Sequence, residues 1–200
     1  MTATQNENTP IINTVDVTKT FAGKDAVSDL NLVVPAGLCF GLLGPNGAGK
    51  TTTLRLIYGV TQPTRGRVHV FGKDVARETR AVRAQLGVML QDNVMIENLT
   101  PRDNLHIFGR HHLISKRLLS KRVDVLLEFL ELLPQADTQV LKLSGGFKRR
   151  LAVAMSLVNQ PELLILDEPT TGLDPAVRHV LWSKIRQLKA DGKTILLTTH

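Results

Sequence analysis

The stretch "GLCFGLLGPNGAGKTTTLRLIYG", Gly37 to Gly59, decides the fold class. An apolar run leads into a glycine-rich turn, and the turn leads into a segment with helical spacing. Gly44, Gly47 and Gly49 let backbone N–H groups close around phosphate oxygens where a Cβ would intrude, and the start of the following helix adds its positive end. Lys50 is placed for the β- and γ-phosphates of a nucleotide, and Thr51 offers a hydroxyl to Mg²⁺. Pro45, Asn46, Ala48 and Thr52 complete the cofactor-binding loop. The run "GLCFGLLG" before it reads as a central strand covered on both faces, with Cys39 a small buried thiol in a reducing compartment.

A second motif supplies the other half of such a site. In "LLILDE", four apolar residues build a buried strand that ends at Asp167, at the sheet edge where the loop also lies. Asp167 is expected to hold Mg²⁺, and Glu168 to orient or deprotonate an attacking water. An isolated acidic pair after a strand can equally cap the next turn. Together with the loop it reads as a P-loop NTPase. No N-K-x-D motif for guanine is present, and small kinases rarely carry so long a helical stretch between the two motifs.

Outward from these motifs the chain divides by pattern. "IINTVDVT", "AVSDLNLVV" and "GRVHVFG" are short β-branched runs that predict an antiparallel edge subdomain. Thr100 reads as a helix N-cap with Pro101 in first position and Asp103 in the first turn, and Ser115 opens a second helix. In that helix Leu118, Leu119, Val123, Leu126, Leu127 and Leu130 recur at three-to-four spacing. Residues about 92–160 therefore read as an all-helical insertion in an α/β domain spanning 12–200, behind a polar tail at 1–11. Near the end, "DPAVRHVLWSKIRQLKADG" predicts a helix capped by Asp174 and closed by Gly192, followed by a buried strand "TILLTT". The chain stops at His200 directly after that strand, as expected of a truncated C-terminus.

Composition narrows the class. With 200 residues, 42% of them apolar, the chain can bury a core as one domain. No apolar run approaches the roughly 20 residues of a spanning helix, and the polar start lacks the apolar region of a secretory signal. The net charge of +7 favours a polyanionic neighbour. Arg102, Arg110, Lys116, Arg117, Lys121 and Arg122 concentrate much of it, without interleaved aromatics, which points to a charged helical or membrane-facing surface and not to nucleic acid. His106, His111 and His112 have no metal-ligand spacing.

The segment "LSGGFKRRL" resembles the signature of ABC-type ATPases, and the resemblance extends over nearly the whole chain. It implies an adenine-stacking role for Phe21, a Q-loop role for Gln91 in catalysis and Mg²⁺ binding, signature contacts to ATP from Ser144, Gly145 and Gly146, a D-loop ending at Asp174, and a switch histidine at His200. Singly, Ser144 and Asp174 also read as helix caps and Phe21 as core. Phe147 stands where the family signature has Gln, so one polar contact to nucleotide is missing. The family implies a head-to-tail homodimer in which each signature helix closes over ATP held by the other copy, together with a separate membrane permease. The fine pattern looks like the drug-resistance and nodulation exporters. That likeness implies a peripheral subunit on the cytoplasmic face of the bacterial inner membrane and lipo-chitooligosaccharide export. The rivals are export of drugs or other lipids, and a soluble ABC ATPase on ribosomes or DNA. The latter class usually has two cassettes in one chain or a coiled-coil insertion, and neither is evident here.

Overall fold

The computed structural model describes residues 10–92 and 94–199. The chain opens with two long strands, β1 (Ile12–Phe21) and β2 (Lys24–Val34), then β3 (Cys39–Leu43) and helix α1 (Lys50–Ile57). Next come β4 (Arg65–Val70), the short β5 (Lys73–Asp74), α2 (Thr79–Ala84) and β6 (Leu86–Met89). Three helices follow: α3 (Pro101–His111), α4 (Lys116–Phe129) and α5 (Gly145–Leu157). The last elements are β7 (Leu163–Leu166), α6 (Pro175–Ala190) and β8 (Thr194–Thr199).

Two sheets result. One has the order β2-β1-β4-β5 and is antiparallel, as the β-branched runs predict. The other has the order β3-β8-β7-β6 and is parallel, so the carboxyl ends of its strands share one edge. Along β7 the side chains alternate between two cores: Leu163 and Ile165 join the antiparallel sheet and α1, while Leu164 and Leu166 join the helices. Strand β8 does the same with Leu196 on one side and Ile195 and Leu197 on the other. Burial on both faces explains the unbroken apolar runs at Leu163–Leu166 and at residues 195–197.

Strand β3 departs from the expectation of a central strand. It pairs only with β8 among the described residues, and Cys39 and Leu43 are exposed, the latter at 72%. Phe40 and Leu42 pack inward. An apolar run reports what side chains tolerate, whereas position within a sheet depends on partners distant in sequence. Cys39 is thus not a buried thiol; nearby atoms still raise its pKa by desolvation, with Lys189 opposing. The polar tail also ends earlier than expected. Ile11 is buried, its N–H donates to Val34 O, and its carbonyl accepts from the Phe71 N–H.

Local signals place the helices. Thr100 and Asp103 form a capping box at the start of α3, with Pro101 in the first turn. On α4, Leu119, Val123, Leu126 and Leu127 are buried and Leu130 follows them into the core, but Leu118 lies on the rim, exposed. Two of the six basic residues between 102 and 122 are engaged within this region, one in surface ion pairs and one with a backbone carbonyl. Arg102 pairs with Asp124 at 2.6 Å and Asp137 at 3.0 Å, and Arg122 donates to Val158 O at 2.7 Å. The basic surface is correspondingly smaller than the sequence implies. No helix among the described residues is long and apolar enough to cross a membrane.

Candidate functional site

The parallel order of the second sheet brings the two sequence motifs together. The loop after β3 and the acidic pair after β7 both emerge at the carboxyl edge, and the loop after β6 brings Gln91 to the same place. A crevice outside the strand ends is where open α/β sheets bind ligands. Here it is a cleft of about 400 Å³ whose walls include Phe21, the loop from Pro45 to Thr52, Gln91 and Glu168.

The loop is shaped by close packing. Gly49 has φ +84°, and a Cβ there would lie 2.3 Å from the Ala26 carbonyl oxygen on β2. Lys50 is nearly buried, and its Nζ donates to Gly44 O at 2.5 Å and Pro45 O at 3.1 Å, which holds the ammonium inside the loop's curve. Thr51 Oγ1 donates to Asp167 Oδ2 at 3.1 Å, joining the two motifs across 116 residues of sequence. Asp167 is also held on its other oxygen by Thr198 Oγ1 at 2.6 Å. The same Thr198 hydroxyl accepts from the Glu168 N–H at 2.8 Å. Glu168 has a left-handed backbone, φ +49°, and its carboxylate accepts from Thr171 Oγ1 at 3.2 Å. A non-glycine residue held in that region stores strain, which is typical of functional turns.

These features fit a nucleoside triphosphate: a cation, a row of backbone N–H groups at a helix start, and a carboxylate already bridged to a hydroxyl. Among the described residues no cluster of three or more His, Cys, Asp or Glu could hold a metal alone. A single carboxylate with a hydroxyl suits Mg²⁺, which keeps waters and shares phosphate oxygens.

The signature residues stand apart from this cleft. Ser144 Oγ accepts from the Phe147 N–H at 3.5 Å and Asp174 Oδ1 from the Val177 N–H at 3.0 Å, so each caps its helix. The two caps belong to one patch, because a Cβ on Gly146 would sit 3.0 Å from Val177 Cγ1. Gly145 has open space around its Cα. None of Ser144, Gly145, Gly146 and Asp174 lines the cleft that holds Lys50. Phe147, in place of the family's Gln, packs against the helical core with the Arg150 guanidinium 4.4 Å above its ring. Phe21 is half-exposed at the rim of the cleft, with Lys19 Nζ 4.9 Å from its ring centre. His200 lies outside the described residues.

The sequence motif of the ABC transporter family matches residues 27–171, which includes the lysine loop, the serine turn and the acidic pair. The chain belongs to the ABC transporter family. Among its relatives, the Nod factor export ATP-binding protein I of Rhizobium johnstonii is 50% identical over 190 residues, covering 94% of this chain and 61% of that protein. The protein of the same name from Rhizobium meliloti is 50% identical over 193 residues, 96% of this chain and 57% of its own length. The chain thus spans about three fifths of the length of these relatives. In three dimensions it resembles the dimeric post-hydrolysis state of the ATP-binding cassette MJ0796 bound to ADP and Pi, with a TM-score of 0.85 and 28% identity over 94% of this chain and 88% of that one. It also resembles cbiO1 from Clostridium perfringens, part of the ABC transporter complex cbiONQ, with a TM-score of 0.87 and 27% identity over 96% of this chain and 79% of that one.

Four residues of this cassette's site escaped sequence reasoning. Lys24 and Asp25 line the cleft from the start of β2, where nothing in "FAGKDAV" marks them. Thr198 was detectable in principle as a hydroxyl inside the buried strand "TILLTT". Arg149, 6% exposed, donates to backbone carbonyls on both sides of the cleft; burial lowers its pKa, opposed by Asp167 and Glu168.

Proposed function

We propose that this cassette is the ATP-hydrolysing, energy-coupling subunit of an exporter, working through a separate membrane permease. The observation that carries the reading is the convergence of Lys50, Thr51 and Glu168 on one cleft, with Thr51 bonded to Asp167. In this reading ATP lies along the loop from Gly44 to Thr52, with its adenine toward Phe21 and its phosphates on the backbone N–H groups and Lys50. Thr51, Asp167 and Gln91 hold Mg²⁺, which when bound neutralises charge on the β- and γ-phosphates. Glu168 orients the attacking water and takes up its proton, and His200, by the family's switch role, contacts the γ-phosphate.

Ser144, Gly145 and Gly146 at the start of α5, with Asp174 at the neighbouring start of α6, form a second patch that the chain's own cleft does not use. A head-to-tail homodimer gives that patch a ligand, the ATP held by the other copy. Loss of the γ-phosphate removes the charge that holds the two copies together, so hydrolysis reopens the dimer. The subunit acts peripherally at the cytoplasmic face of the bacterial inner membrane. Half of the aligned residues are identical to those of Nod factor export proteins, which supports a lipo-chitooligosaccharide as cargo.

The test is Glu168→Gln in the full-length subunit. It retains ATP binding, loses turnover by a hundredfold or more, and runs as a stable dimer with ATP in light scattering. Hydrolysis at the wild-type rate removes Glu168 from the reaction. Uptake of labelled lipo-chitooligosaccharide into inverted vesicles carrying subunit and permease tests the cargo separately, and absence of ATP-driven uptake discards that cargo.

A further inference from the structure

Arg149 lies on α5 five residues after Ser144, and its buried guanidinium reaches two other segments at once. Nη1 donates to Gln91 O at 3.0 Å and Leu90 O at 3.4 Å, on the loop that follows β6. Nε donates to Pro169 O at 2.9 Å, and Nη2 to Asp167 O at 2.9 Å and to the carbonyl of Glu168. A planar guanidinium offers five N–H donors in a fixed fork, so one side chain can tie several carbonyls at set angles where an ammonium cannot.

The tie matters most at Glu168. Its peptide N–H is held by Thr198 and its carbonyl by Arg149, while its φ of +49° is one that a glutamate rarely adopts. Bonds on both sides of the residue are what maintain such a backbone, and its direction sets where the carboxylate points. The Gln91 carbonyl is held by the same cation, so the two walls of the cleft and the serine-turn helix share one fastening point.

We infer that Arg149 is a positioning residue that sets the backbone of Glu168 and Gln91 from the signature helix, so that engagement at Ser144 reaches the hydrolytic carboxylate of the same chain. This rests on the ATPase reading above. A helix moves as a near-rigid rod over five residues, so a ligand that shifts the start of α5 shifts the guanidinium with it, and the Glu168 carbonyl follows. Each copy then senses closure on its partner's nucleotide and adjusts its own hydrolytic group.

The experiment compares wild type, Arg149→Lys and Glu168→Gln in the full-length subunit, measuring ATP affinity by calorimetry and steady-state kcat and KM at fixed Mg²⁺. Lysine keeps the positive charge but lacks the fork. The expected result for Arg149→Lys is an ATP affinity and KM within about threefold of wild type with kcat lowered tenfold or more. A kcat within twofold of wild type overturns the inference, as does a parallel loss of affinity, kcat and melting temperature, which marks a purely structural role. If Arg149→Lys does not fold, Arg149→Gln is read by the same criteria, and failure of both to fold also overturns it. A wild type without ATPase activity refutes the functional reading instead, whereas an active wild type, an inactive Glu168→Gln and an unimpaired Arg149→Lys refute this inference alone.

Discussion

The hydroxyl of Thr198 donates to Asp167 Oδ1 at 2.6 Å while accepting from the N–H of Glu168 at 2.8 Å. One side chain from β8 therefore orients both members of the acidic pair that follows β7. Replacing it with valine keeps the shape but leaves the Glu168 N–H buried without that partner, a loss of about 1–3 kcal/mol. Thr198→Val is expected to lower the melting temperature and to raise the Mg²⁺ concentration giving half-maximal ATPase activity. An unchanged Mg²⁺ requirement would show that Thr198 does not set the carboxylate for metal.

Lys50 donates to two carbonyls of its own loop, Gly44 O and Pro45 O. Lys50→Met preserves the aliphatic stem and removes the charge. A charge-assisted contact contributes about 1.5–3 kcal/mol, so ATP affinity should fall roughly tenfold to a hundredfold in calorimetry. An unaltered affinity would separate Lys50 from the phosphates.

Gly47 and Gly49 have similar positive φ values, 82° and 84°, but different surroundings. A Cβ at Gly47 meets nothing within 4 Å, whereas one at Gly49 would collide with the Ala26 carbonyl. Gly47→Ala should cost about 1–2 kcal/mol for the left-handed backbone alone, and Gly49→Ala more, because the clashing atom is backbone. Chemical denaturation of the two variants gives the order directly; the reverse order would contradict the packing of the loop on β2.

The capping box at Thr100 lies in the helical layer, outside the cleft lining. Thr100→Ala should reduce stability by about 1 kcal/mol with ATP hydrolysis unaffected. A large fall in kcat would mean that α3 reports to the reaction.

Much of the chemistry was legible because it is written locally. The phosphate loop needs small residues and a lysine at fixed spacing, the acidic pair follows an apolar tetrad, and Thr100 and Asp174 cap the helices that start immediately after them. The periodic stripe on α4 was readable for the same reason, except at Leu118, which stands at the edge of the stripe and faces outward. The acidic pair alone still had two readings, and in the structure the bond from Thr51 to Asp167 joins it to the loop.

Residue spacing along the chain thus specified the P-loop class, the helix starts and the candidate reacting groups, since each depends on neighbours within a turn or two. Strand order decided the rest: it left β3 with β8 as its single described partner, carried Thr198 to Asp167 across 31 positions, and set Arg149 against Gln91 across 58. Such contacts arise from which strands lie side by side and which faces the two cores cover, and a linear pattern of side chains carries no record of that adjacency.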